Sequence, residues 1–237
     1  MCGFLGIYNQ QLKNVNFDEA FRFILHRGPD EIGYFKSEFC TLFSSRLAIR
    51  DSNEGRQPFL KKKDNYEKIL SYNGEIYNFN TAKSIYNDVL SNCDTELIYE
   101  IFNKSNYYQL QNKLNNLEGQ FAISFFDNKT KTLYLARDKL GEKPLYWSRI
   151  NNSIIFASEI KPIIFLKGKN FEFDHQQILS LNYLWSTHPS KTPYKDIYSI
   201  EPGSIYKFEI NGKIVKKFYE KLQKKISLKK FFYKKSK

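Results

Sequence analysis

Helical periodicity set between two groups of short apolar strands is the feature that most narrows the folds open to this chain. Gly3 to Ile7 and Phe39 to Ile49 read as strands. Tyr66 to Tyr72 reads as another, which the turn-forming pair Asn73-Gly74 is expected to end. Between the first two, Phe17, Ala20, Phe21, Ile24 and Leu25 recur at helical spacing, with Asp18 and Glu19 in the first turn and Pro29 stopping the pattern. Helices are predicted over Thr81–Leu90 and Asp94–Phe102, the second with Asp94 as N-cap, and a third runs through Leu110, Leu114 and Leu117. From Gly119 the pattern becomes β, with short strands at Phe121–Phe126, Thr132–Ala136, Leu145–Ser148 and Ile154–Ala157. A helix over Gln176–Leu184 and a hairpin at Asn211-Gly212 follow. This order predicts an α+β fold, with helices packed on antiparallel sheets.

At 237 residues the chain has room for one large domain, or one domain with an appendage, around a sizeable core. It holds no apolar run of about 18 residues, which removes a transmembrane helix. Its start lacks a basic region followed by an apolar stretch, so no secretory signal is expected. Cys2, Cys40 and Cys93 are too few and too scattered for a disulfide framework or a zinc site, which fits a reducing cytoplasm and no metal. The net charge of +12 invites a nucleic-acid reading, yet residues 216–237 carry ten lysines against the single acid Glu220. The basicity thus belongs to a Lys-rich tail (216–237) behind a folded part (1–215). Neither nucleic acid nor membrane is expected as a partner.

Cys2 follows the initiator methionine directly, and its side chain is small. Removal of Met1 is therefore expected, and it leaves a thiol and a free α-amine on one residue. The amine, with a reference pKa of about 7.7–8.0, is partly free base at neutral pH and can take the proton of the thiol beside it. Such a nucleophile needs no histidine. The competing reading is an edge strand whose second residue has no chemical role.

Seven patterns then stand in order after Cys2: HRGPD at His26–Asp30, RLAIRD at Arg46–Asp51, NGEIYN at Asn73–Asn78, CDTE at Cys93–Glu96, EGQFAISFFD at Glu118–Asp127, LARDKLGEKPLYW at Leu135–Trp147 and FASEIK at Phe156–Lys161. Any one alone is weak; together, at similar spacing, they resemble the glutaminase domain of asparagine synthetases. That domain is a branch of the class II, N-terminal-nucleophile glutamine amidotransferases.

The resemblance implies a four-layer αββα sandwich. It also implies hydrolysis of glutamine through a γ-glutamyl thioester on Cys2, with the α-amine as general base and no cofactor. Asn73 (side-chain amide) and Gly74 (backbone N–H) would hold the oxyanion, although on their own they read as a hairpin turn. Arg46 would grip the α-carboxylate and Asp94 the α-ammonium; on their own they read as an exposed strand residue and an N-cap. Leu47 and Ile49 would line the pocket through backbone groups, with Glu75 nearby, and His26 and Arg27 would brace the loop around the nucleophile. Three positions depart from the pattern: Cys93 and Ala48 stand where serine is common, and Arg50 where an apolar residue is common.

Asparagine synthetases continue into a second domain that binds ATP and magnesium and activates aspartate. Its pyrophosphate-binding loop, a serine followed by paired glycines and an aspartate, does not occur in this sequence. The expected partners are therefore glutamine and a synthetase domain or subunit in trans, to which ATP and magnesium would belong. A homodimer is left open. Two other readings stand beside this one: a glutaminase serving a different amide acceptor, and a non-catalytic regulatory or binding protein that kept the fold.

Overall fold

The computed structural model describes residues 2–9, 16–48, 54–61, 68–86, 88–168 and 171–219. Strand β1 (Gly3–Tyr8) is buried along its whole length, because it runs through the middle of a sheet covered on both faces. Phe4 and Tyr8 point to one face, into a core shared with Leu42, Phe126, Leu133 and Phe156. Leu5 and Ile7 point to the other. Gly6 permits the close approach, since a Cβ there would stand 2.1 Å from the ring of Phe156.

Around β1, strands β2 (Glu31–Lys36), β3 (Cys40–Arg46), β7 (Tyr146–Ile150), β8 (Ser153–Ala157) and β9 (Tyr198–Ser199) form a sheet in the order β2-β3-β1-β8-β7-β9. A second sheet has the order β11-β10-β6-β5-β4, from β4 (Lys68–Ile76), β5 (Gly119–Asp127), β6 (Thr132–Arg137), β10 (Ser204–Glu209) and β11 (Ile214–Phe218). All neighbours pair antiparallel.

Helices α1 (Phe17–Arg22) and α5 (Ile160–Lys167) close the outer face of the first sheet over Leu5, Ile155 and Ile163. Helices α2 (Phe79–Lys83), α3 (Asp94–Asn103) and α4 (Tyr107–Asn115) close the second over Leu97, Ile101, Leu110 and Phe121. The layers run helix, sheet, sheet, helix, as expected: an α+β, four-layer αββα sandwich. Each large apolar side chain fully buried in these cores contributes roughly 1.5–3 kcal/mol. Helix α6 (His175–Leu184) stands apart and has no buried residue. Among the described residues, no helix is long and apolar enough to cross a membrane.

Four expectations are corrected. Asn73-Gly74 does not end β4: Asn73 pairs with Ala122 and Gly74 with Phe121, and the ladder runs on to Ile76 opposite Gly119. The partner strand supplies pairing to the end, and that outweighs a dipeptide's turn preference. Asp94 is not an N-cap but the first residue of α3, behind Cys93. The helix expected over Thr81–Leu90 stops at Lys83. Beyond it, Tyr86 N donates to Lys83 O (2.9 Å) and Val89 N to Tyr86 O (3.1 Å), tight turns that turn both side chains into the core. Finally, the boundary expected between 215 and 216 falls inside β11, and the folded part continues to the buried Tyr219.

Candidate active site

Register assembles the site. Gly3 pairs with Ser45, so Cys2 and Arg46 stand side by side at the head of β1 and the end of β3. Close by, the hydroxyls of Ser44 and Ser71 hydrogen-bond across the two sheets at 2.8 Å. A cleft of about 110 Å³ opens there, and Cys2, Arg46, Leu47, Asn73, Gly74, Glu75 and Asp94 all line it. Of the residues nominated from the sequence, only Ile49 is missing from this account, because it lies outside the described residues.

Cys2 is half-buried, and its Sγ lies 3.6 Å from the carbonyl oxygen of Leu47. Burial pushes the thiol above its ordinary value; Arg46 pulls it down and Asp94 adds to the rise. At neutral pH the thiol therefore keeps its proton unless a base takes it. The HRGPD segment fixes the surroundings. Arg27 Nε donates to Cys2 O (3.1 Å), and Arg27 Nη1 pairs with Glu159 (3.1 Å) at the head of α5. His26 reaches the same carboxylate at 2.9 Å. Gly28 passes so close to Arg46 that a Cβ would stand 2.5 Å from its backbone. Asp30 then accepts the N–H of Ala48 (2.9 Å), which holds the loop carrying Leu47.

The outer edge of β4 forms a row of backbone donors. Side by side along it, Leu70 N donates to Phe59 O (2.9 Å), Tyr72 N to Gln57 Oε1 (2.8 Å) and Ile76 N to Asp94 Oδ2 (3.2 Å). Alternation places the N–H of Gly74 on the same edge, and there it meets no described acceptor. Next to it, Nδ2 of the buried Asn73 also makes no hydrogen bond. Two adjacent donors thus lack a partner among the described residues while their neighbours are satisfied, an arrangement suited to an oxygen that gains charge. Gly74 has no substitute here, since a Cβ would stand 2.2 Å from the carbonyl oxygen of Gln120.

At the other end, Arg46 is 5% exposed and donates through Nη1 to Glu31 (3.3 Å), which also meets Arg56 (3.4 Å). Oδ2 of Asp94 accepts the hydroxyl of Tyr72 at 2.9 Å as well as the N–H of Ile76. Burial first, and the Asp94 charge second, push the Tyr72 phenol well above its usual range, so it remains a donor. One cation and one anion, both largely buried, thus face a single cleft.

Gln57, Tyr72, Cys93, Thr95, Gln120 and Lys143 also line it, and sequence reasoning assigned none of them a place there. Lys143 is brought in by Asp138, which accepts the N–H groups of Phe121, Leu140, Glu142 and Lys143 and so wraps residues 138–143 onto β5. Among the described residues the Lys143 ammonium has no partner, although the residue is 8% exposed. Among the described residues, no group of three or more His, Cys, Asp or Glu is arranged to hold a metal ion. The three cysteines are unpaired.

Stacked antiparallel sheets between helical layers, with a cysteine heading a central strand, define the N-terminal-nucleophile class of amidotransferase folds. A glutamine amidotransferase domain model matches residues 1–219, and the chain belongs to that family. Among curated relatives, it is 31% identical to asparagine synthetase [glutamine-hydrolyzing] 1 of Bacillus subtilis, over 93% of this chain and 35% of that protein. It is 30% identical to a putative asparagine synthetase [glutamine-hydrolyzing] 2 of Methanocaldococcus jannaschii, over 92% of this chain and 46% of that one. The chain therefore spans between about a third and a half of these relatives. A solved structure of glutamine phosphoribosylpyrophosphate amidotransferase from B. subtilis aligns with a TM-score of 0.63 at 17% identity, over 92% of this chain and 49% of that one, a likeness of fold alone.

Proposed function

We propose that this chain hydrolyses the side-chain amide of glutamine, with Cys2 as nucleophile. The observation that carries the reading is the gathering, along one cleft, of a thiol, two unpartnered donors, a buried guanidinium and a buried carboxylate. Arg46 takes the α-carboxylate of glutamine and Asp94 its α-ammonium, which aims the side-chain amide at Cys2. The α-amine of Cys2, freed by loss of Met1, accepts the thiol proton as the sulfur bonds to the amide carbon. The carbonyl oxygen, now an oxyanion, accepts from Asn73 Nδ2 and Gly74 N. Collapse breaks the C–N bond, and the amine returns its proton to the departing ammonia. Water, deprotonated by the same amine, then cleaves the thioester and releases glutamate. Every group in these steps belongs to the chain, substrate and water.

The names of the relatives point the ammonia toward asparagine synthesis. A synthetase domain or partner chain, by the resemblance one that binds ATP and magnesium and activates aspartate, would use it. Three unpaired cysteines, one of them the nucleophile, suit the reducing cytoplasm.

The test is glutamate release from glutamine by chain whose N-terminus has been read by mass spectrometry. Protein beginning at Cys2 is expected to turn over; Cys2→Ala and protein retaining Met1 are expected to be inactive. Equal turnover by all three would overturn the mechanism.

A further inference from the structure

We infer that Gln57 contacts the substrate: its side-chain amide nitrogen is a second donor, beside Arg46, for the α-carboxylate of glutamine. The inference rests on the glutaminase reading above. Gln57 is 6% exposed and lines the cleft. Its amide orientation is fixed, because the backbone N–H of Tyr72 only donates; the atom 2.8 Å from it is Oε1, and the opposite end is Nε2. Among the described residues, Nε2 has no hydrogen-bond partner. Nor is it among the unpartnered atoms sealed from solvent, and the residue lines the cleft, so Nε2 is placed to meet a ligand there. Buried amide donors are rarely left without an acceptor, and one that lines a ligand cleft is met there by water or by the ligand that displaces it.

The neighbours say which part of the ligand that is. Two residues earlier, Gly55 (φ +92°) passes so close that a Cβ would stand 3.4 Å from Arg46 Nη2 and 2.4 Å from Cys93 Sγ. Gln57 itself packs on Gly33 of β2, where a Cβ would meet the Gln57 carbonyl oxygen at 1.8 Å. That strand also carries Glu31, to which Arg46 commits Nη1. Residues 55–57 thus run along the guanidinium side of the cleft, where the ligand group to be held is a carboxylate with two oxygens. A neutral donor there complements Arg46, and an ammonium would find no acceptor in Nε2.

Gln57→Glu separates this role from a purely structural one. The substitution keeps an acceptor for Tyr72 N and replaces the open donor with an oxygen. Binding is measured by calorimetry on the full chain carrying Cys2→Ala, with glutamine and with its α-carboxamide analogue, which lacks the carboxylate charge. With Gln57→Glu added, glutamine affinity is expected to fall about ten- to a hundredfold, by the measured worth of hydrogen bonds to charged groups. Affinity for the analogue should fall much less, so the preference between the two ligands collapses. Unchanged affinity and unchanged preference would show that Gln57 only caps Tyr72 N, leaving the glutaminase reading intact. Failure of glutamine to bind with Gln57 in place would overturn both. Should Gln57→Glu not fold, Gln57→Met gives the same readout: a lost preference supports the contact, and a retained one overturns it.

Discussion

At the scale of single residues, the cleft works through side chains that serve two partners at once. Tyr72 offers its backbone N–H to Gln57 and its hydroxyl to Asp94, which ties the two ends of the ligand site to one residue of β4. Tyr72→Phe leaves Oδ2 of a carboxylate that is 5% exposed without the hydroxyl donor. Losing a donor to a buried acceptor costs about 1–3 kcal/mol, so the urea midpoint is expected to fall and the KM for glutamine to rise, with kcat little changed. Gly74→Ala acts on the other parameter. Its Cβ would stand 2.2 Å from Gln120 O, which forces the strand aside and displaces an oxyanion donor. The expected result is a kcat lower by about 10²–10³ at nearly constant KM, read from steady-state glutamate release. A matching rise in KM would mean that Gly74 serves ground-state binding instead.

At the scale of elements, the strap 57–61 holds the edge of β4 and binds it to α3. Phe59 bridges Leu70, and Lys61 Nζ reaches Glu96 at 2.5 Å and Glu100 at 2.6 Å, both with side chains under a tenth exposed. Lys61→Met leaves two buried carboxylates without their cation, and a loss of about 3 kcal/mol in urea unfolding is expected. The sign with pH follows from Glu96. Burial would raise its pKa, but hydrogen bonds from Lys61 and Ser91 outweigh this and hold it below 4.5. In the native chain that stability is present above pH 4.5 and lost as pH falls through the folded value. In Lys61→Met only the hydrogen bonds from Ser91 still oppose burial, so the deficit should be largest at neutral pH and shrink below pH 4.5 as Glu96 takes a proton. The same elements mark what a sequence discloses. β5 to β8 are short apolar-rich runs bounded by turn signals, and α3 and α4 repeat at helical spacing, so each is legible on its own. The edge strand β2 and the short α5, apolar nearly all round with Pro162 inside, carry no clear period and went unread. Cys2, Arg46, Asn73, Gly74 and Asp94 were legible through ordered motifs. The places of Gln57, Tyr72 and Lys143 in the cleft follow from the outward edge of β4 and the wrap around Asp138, which exist only once the strands are paired.

At the scale of the whole molecule, phenols and thiols buried between the layers set an alkaline limit. Tyr8 lies between the sheets and donates to Lys131 O at 2.6 Å; Tyr107, the first residue of α4, points into the core beneath it and donates to Val215 O at 2.9 Å. Burial raises the pKa of both, as it does for Tyr72, Tyr206 and Cys40, and it pushes Tyr134 up to about 12. In the unfolded chain these groups lose their protons near the ordinary values of 9.0 for the thiol and 10.0 for the phenols. Above those values the native state binds more protons than the unfolded one, so stability falls with each step in pH. Below pH 9.0 the groups are neutral in both states and contribute no slope. Urea midpoints measured from neutral pH upward are therefore expected to stay level to about pH 9 and then decline steadily. A midpoint that held well past the ordinary phenol value of 10.0 would mean that burial does not raise these groups in the folded state. Glutamine hydrolysis is bounded the same way: its rate should rise as the Cys2 amine loses its proton near its reference value of about 8, then fall where the fold gives way.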